Sequence, residues 1–433
     1  MSKYDKASLV MIPSGYKAEK LYSVLPVNGN GDFTHDRNLG TATRVNKDGL
    51  IETVAADVPR LDYPIVDGVV QDCPALLLEP AATQLIRYSE DFSNADWTKT
   101  DATITSDSII SPDGTLNASK LTEGTSNSTH RISDAGITGS GVSCTQSIFA
   151  KKGNNGRYLR LFRGSGTYND AVFNLENGTV VSQGGSNIID TKIENYGNGW
   201  YRCSSTFTTQ FSSINSYYGL QNGTTDSYTG DGTSFIYIFG AQLEVNSYST
   251  SYIPNDGTTA TVTRNADVCN SAGTAAEFND SEGVLYAETV WDRDTSTIYI
   301  GLHDGSVSNR ILIYSTSTSN IATLFQVGGV TQAALVYNGA NSREFNKIAL
   351  KYKENDFSLY VNGFEQVTDT SGSVFSDGTL NELAFDAGAA AQFSGRTKEL
   401  SVFKEALTDS ELEDLTSWDS FNEMATGQEY TIR

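Results

Sequence analysis

The sequence is short of the residues from which active centres are commonly built. Its 433 residues include three histidines, three methionines and four cysteines. His35, His130 and His303 lie in separate stretches, so a histidine-based metal site or triad needs distant segments to converge. Cys73, Cys144, Cys203 and Cys269 have no C-x-x-C spacing, which argues against a zinc site or a dense disulfide scaffold. Free, buried thiols are the expectation. No G-x-S-x-G elbow, P-loop or H-E-x-x-H occurs, and no internal period marks a β-helix or a propeller. No apolar run is long enough to span a bilayer, and the opening MSKYDKASLVMIPSGYKAEK lacks the apolar centre of a signal peptide. Synthesis in a cytoplasm is therefore expected, with any exterior location reached as part of a particle.

Charge is sparse and one-sided. Only 19% of residues are charged, and 52 acidic against 30 basic side chains give a formal −22. Such a balance opposes binding to nucleic acid or anionic membrane, because both repel it. It implies a solvated surface that stays soluble at high local density. No transition metal or nucleotide is expected, and calcium is left open, since acidic composition alone does not make a site.

Ser, Thr, Asn and Gly fill the chain, together with 22 Tyr and 19 Phe. That mixture favours twisted strands joined by tight turns, because β-branched and aromatic side chains pack well on a pleated surface. The fold class expected is all-β: two jelly-roll or β-sandwich domains after an extended N-terminal segment, with a short C-terminal helix.

Residues 1–84 read as that segment. Pro26, Pro59, Pro64, Pro74 and Pro80 interrupt any regular run. Leu9, Val10, Met11, Ile12, Leu21, Val24 and Leu25 then need a partner, whether a neighbouring subunit, another protein or the next domain. Deleting the segment is expected to leave folded sandwiches. Residues 85–267 read as strand after strand. Asn177-Gly178 sits between apolar runs as a two-residue hairpin turn, Tyr201, Cys203 and Phe207 share a face, and FIYIFGAQLEV is apolar on both sides like a covered central strand. Residues 268–433 alternate Ile348, Leu350, Tyr352 and then Phe357, Leu359, Val361, with Asn362-Gly363 as a hairpin turn. Thr408 and Glu411 make a capping box for a last helix, and Leu407 is placed to staple onto Leu412.

The phrases LIRYSEDFSNADWTKT, NGWYRCSSTFT and FIYIFGAQLEVNSYSTSYIPNDGTTATVTRNAD, in that order, resemble a carbohydrate-binding-module-like β-sandwich that recurs in tailed-bacteriophage surface and fibre proteins. TRVNKDGLIETVAADVPRLDY and CPALLLEPAATQLIRYSEDF resemble the segments that precede it in virion proteins. NKIALKYKENDFSLYVNGFEQV and SGRTKELSVFKEALTDSELEDLTS resemble the laminin G-like, concanavalin A-like jelly roll. The resemblance implies a noncatalytic adhesive subunit of a tail or head fibre on the virion surface. It would attach to other virion proteins through residues 1–84, assemble as a homotrimer and contact host surface glycans. A polysaccharide-degrading enzyme and a purely structural decoration protein are the alternatives. Two carboxylates suffice for glycoside hydrolysis, but 52 acids give that pattern no specificity.

Sugar sites set aromatic faces against C–H surfaces and fix orientation with amides and carboxylates. The stretch SINSYYGLQNGTTDSYTGDGT reads as a loop-like aromatic cluster, so Tyr217, Tyr218 and Tyr228, with Asn222 and Asp226, are the candidate ligand-binding residues. Strand packing is the competing reading of these tyrosines. Trp97 and Trp200 read as packing residues, and the loops around His303-Asp304 and Asn309-Arg310 form a second candidate. Asp226 with Asp231, and Asp292 with Asp294, are possible calcium ligands or, as the favoured reading, turn residues that satisfy nearby amides.

Overall fold

The computed structural model describes residues 4–38, 40–137, 142–163, 169–208, 214–292, 299–388, 392–418, 420 and 423–424. It is all-β, with antiparallel sheets stacked as two sandwiches and one helix, Asp409–Thr416, near the C-terminus. No helix among the described residues is long and apolar enough to cross a membrane.

The central sandwich packs two six-stranded sheets. One runs in the order Thr98–Thr100, His130–Ile137, Ile214–Gln221, Tyr158–Arg163, Asn169–Asn174, Thr179–Gly184. The other runs Ala102–Ile110, Leu116–Glu123, Phe235–Glu244, Ser143–Lys152, Trp200–Thr208, Ile188–Asn195. Alternate residues meet between them, including Leu159, Leu161, Phe173, Tyr218, Ile148, Cys203 and Phe207, with Tyr201 packed at the margin. Phe235–Glu244 is covered on both faces as expected. Ile236, Ile238, Ala241 and Leu243 enter this core, while Phe239 joins Ile51, Phe149, Trp200 and Tyr252 on the opposite side. The change of face between Phe239 and Ala241 falls at Gly240, whose φ of +60° accompanies a bulge against Ser143–Lys152.

The second sandwich packs a five-stranded sheet against an eight-stranded one. The alternation read from the sequence holds here. Ile348, Leu350, Tyr352, Phe357, Leu359 and Val361 all enter one core, and Asn362 and Gly363, both with positive φ, close a two-residue hairpin between Val361 and Phe364. The capping box at Thr408 is formed, and Leu407 and Leu412 share a small cluster against the sheet's outer face. Asn177-Gly178 behaves differently. Asn174 pairs with Thr179, so the turn has four residues, and Asn174 Oδ1 accepts from the Glu176 amide in place of a tighter reversal.

The largest departure from expectation concerns residues 1–84. Ala7–Met11 and Ala75–Leu78 lie end to end along the same edge of Gly395–Phe403, and Arg60–Asp62 extends the sheet beyond Ala75–Leu78. Leu9, Met11, Leu21, Leu76 and Leu78 sink into the core of the second sandwich. Val10 is also buried, whereas Val24 stays exposed. The segment's apolar side chains thus find their partner within this chain. Ala82–Gln84 pairs with Val262–Arg264, so the chain enters and leaves the central sandwich side by side. The central sandwich is inserted into a domain made from both flanks.

A buried ionic cluster fastens this junction. Arg60 Nη1 lies 2.6 Å and Arg264 Nη1 2.8 Å from Glu79 Oε2, Arg37 Nη1 lies 2.9 Å from Asp267 Oδ1, and Arg60 also pairs with Asp267. Burial alone would raise the Glu79 carboxyl, but Arg264 and Arg60 hold it down at about 2.

Candidate functional site

The face of the sheet containing Ile214–Gln221 that points away from the core carries a layered set of aromatic and charged side chains, in which Arg160 and Phe162 are buried and Arg131 and Tyr217 half-buried. Strand alternation makes it. In Tyr158–Arg163, Leu159 and Leu161 point to the core, which sends Arg160 and Phe162 to the other side. In Ile214–Gln221, Tyr218 and Leu220 point inward, which sends Tyr217 and Gly219 outward. In His130–Ile137, Ile132 points inward and Arg131 outward. The registers align these residues in two rows. Arg131 and Arg160 each lie opposite Gly219, and Ser133 and Phe162 each lie opposite Tyr217.

The outward residues form a layered stack. The Tyr217 and Phe162 rings are 4.7 Å apart and nearly parallel, at 10°. The Arg131 guanidinium lies 4.5 Å from the Tyr217 ring centre and 5.4 Å from that of Phe162, and the Arg160 guanidinium lies 4.4 Å from Phe162. Both arginines are placed for cation–π attraction. Gly219 permits this closeness: a Cβ there would sit 3.3 Å from Arg131 Cβ and 3.4 Å from Phe162 Cε1. Arg160 is neutralised by Asp170 and Asp226, each at 2.9 Å. Arg131 has no carboxylate partner among the described residues, and its Nε is buried without an acceptor.

The five residues singled out in the sequence separate on this scaffold. Tyr217 is half-buried on the outward face, and Asp226 reaches the same face through Arg160. Asn222 is exposed in a turn closed by reciprocal backbone bonds with Thr225. Tyr218 is fully buried against Trp97, and burial pushes its phenol well up. Tyr228 is also buried. Its ring packs tilted against that of His130, 4.5 Å between centres, and its hydroxyl donates to Glu123 Oε2 at 2.7 Å. Strand packing therefore accounts for Tyr218 and Tyr228, and the exposed three-tyrosine loop is corrected to one half-exposed tyrosine on a sheet. Arg131, Phe162 and Arg160 were missed. Their signal was an alternation of basic or aromatic with aliphatic residues in YLRLFR and HRI, which only a paired register converts into one surface.

Other expectations resolve locally. Trp97 and Trp200 are buried, donating to the carbonyls of Tyr88 and Ile110. Asp231 caps a turn, accepting from the amides of Thr233 and Ser234, and its carboxyl is held low chiefly by the Ser234 hydroxyl. Asp292 lies 3.4 Å from Arg396, and Asp294 falls outside the described residues. Among the described residues no group of three or more His, Cys, Asp or Glu side chains is placed to hold a metal ion. The three histidines remain apart. His35 lies 3.6 Å from Asp267, His130 3.1 Å from Asp101 and His303 2.9 Å from Asp386. The second candidate is a set of mutually satisfied turns, in which Asn309 donates to Asp304 at 2.8 Å and Arg310 donates to Gln326 at 2.9 Å. Three of the four free thiols are buried, and Cys73 is exposed, against expectation.

No protein-family model and no curated protein matches the chain. Distant likenesses to solved structures exist. One is the CBM40 module of Ruminococcus gnavus IT-sialidase bound to α2,3 sialyllactose, at 19% identity over 32% of this chain and 84% of that one, TM-score 0.29. Another is Domain 4 of AbnA, a GH43 extracellular arabinanase from Geobacillus stearothermophilus in complex with arabinotriose, at 14% identity over 35% and 73%, TM-score 0.30. A third is the native heptameric SAP-like pentraxin from Limulus polyphemus, at 12% identity over 33% and 72%, TM-score 0.28. Each likeness covers about a third of this chain.

Proposed function

We propose that the protein is a noncatalytic, carbohydrate-binding adhesive subunit on the surface of a tailed bacteriophage particle, in a tail or head fibre. The observation that carries the binding part is the outward row of Arg131, Tyr217, Phe162 and Arg160 with Asp170 and Asp226. It combines an aromatic edge with donors and acceptors fixed by stacking and ion pairs, which is what orients a saccharide on a shallow surface. The phage part is supported by the resemblance of residues 43–63, 73–92 and 85–100 to phrases of virion proteins. Shallow sites bind weakly, and a homotrimer would raise overall binding by about 10²–10⁴ if its sites engage together.

A glycan array combined with an assay for release of reducing ends tests this reading. Binding without release supports adhesion. Release of new ends would replace it with a polysaccharide-degrading enzyme, and silence in both would leave a structural decoration protein. Immunogold labelling of intact particles tests the virion assignment, which absence from purified particles would overturn.

A further inference from the structure

The two arginines flanking Gly219 differ in one respect. Arg160 is fully countered by Asp170 and Asp226, whereas Arg131 has no counter-ion among the described residues of a chain with 52 acids. Resting on the glycan-binding reading, we infer that this face selects saccharides bearing a carboxylate, with Arg131 as the residue that receives it. The guanidinium lies over the Tyr217 ring, 4.5 Å from its centre, so it is already held in place and loses little freedom on pairing with a carboxylate. Across the strand, Thr100 lies opposite Arg131 and Ser133 opposite Tyr217, placing hydroxyl groups beside the charge. The sugar ring would lie beside Arg131 over the half-buried Tyr217, since Gly219 is itself buried between Arg131 and Phe162. Its hydroxyls meet the Asp170–Arg160–Asp226 group on the far side, roughly 10 Å away at two strand spacings.

The charge distribution also limits the ligand. A net −22 repels polyanions such as nucleic acid, and Asp170 and Asp226 oppose a second anionic group at the far end. A single carboxylate per recognised unit, as in a uronic or a nonulosonic acid, fits one arginine without a carboxylate partner among the described residues.

Calorimetric titration of the full-length protein in 0.15 M salt with methyl galacturonoside, with sialyllactose and with the carboxyl-reduced form of each provides the test. The acidic forms should bind about tenfold or more tightly than their reduced forms, because a hydrogen-bonded charge is removed. Arg131→Gln should erase that difference while its circular dichroism and melting temperature stay near wild type, and Arg131→Lys should restore it only in part. If Arg131→Gln proves unstable, the reduced ligands on the wild type carry the same comparison. Binding of only one acid class keeps the inference and names the source. Equal binding of acidic and reduced forms overturns the inference but leaves glycan binding standing, whereas no binding to any of the four or across a neutral glycan array overturns the glycan-binding reading itself. Self-association of the wild type that Arg131→Gln abolishes, without glycan, would assign the arginine to a second copy and overturn the inference.

Discussion

Met11 lies opposite Leu400 in an antiparallel ladder, so a strand from the N-terminal flank and one from the C-terminal flank complete a single sheet. Both side chains are fully buried in the same core. The contact makes the second sandwich dependent on segments that the chain supplies before and after the inserted central sandwich.

Deleting residues 1–84 should therefore leave the second sandwich unfolded or aggregated, contrary to the expectation read from the sequence. The deletion removes Leu9, Met11, Leu76 and Leu78 from the core and bares one edge of Gly395–Phe403. Each of these side chains stabilises by about 1.5–3 kcal/mol on burial, and together they approach the whole stability of a typical domain. Soluble expression and protease resistance of the truncated protein are the measurements, and a resistant C-terminal fragment would refute the claim.

Leu76→Ala should lower stability by about 2–5 kcal/mol in the full-length protein, since the side chain is wholly buried and its neighbours are held by ladders on both sides. Denaturant unfolding reports the loss. An unfolding midpoint within error of wild type would mean that the strand Ala75–Leu78 contributes little.

Acid should loosen the junction. Glu79 is held at about 2 in the fold against an ordinary 4.5, so its contribution is complete above about 4.5 and disappears as pH falls towards 2. The melting temperature is expected to fall across that window. Glu79→Gln should lessen the fall and also cost about 3–5 kcal/mol at neutral pH, because Arg60 and Arg264 lose a buried partner. An unchanged acid limb in the variant would show that other carboxyls dominate.

The three tyrosines should respond differently to substitution. Tyr217→Ala should weaken glycan binding while costing about 1 kcal/mol of stability, the worth of one aromatic stack. Tyr218→Ala should cost about 3–5 kcal/mol because it empties a fully buried position beside Trp97. Tyr228→Phe should cost about 1–3 kcal/mol by leaving Glu123 short of a donor. Thermal melts alongside binding titrations separate the cases, and a Tyr218→Ala protein as stable as Tyr217→Ala would contradict the assigned faces.

Local chemistry was legible in the sequence. The sequence alone determined the all-β class, the alternating cores of Asn346–Lys353 and Asp356–Val361, the Asn362-Gly363 turn and the capping box at Thr408, because each depends on residues within a few positions of one another. The tertiary structure alone decided where residues 1–84 belong, since Pro-interrupted short strands carry no mark of the distant edge they complete. It also decided which tyrosine faces solvent. Tyr217 and Tyr218 are adjacent, and a one-residue change of register exchanges core for surface. The row of Arg131, Tyr217, Phe162 and Arg160 exists only because three strands from separate parts of the chain pair in one register, which no local pattern specifies.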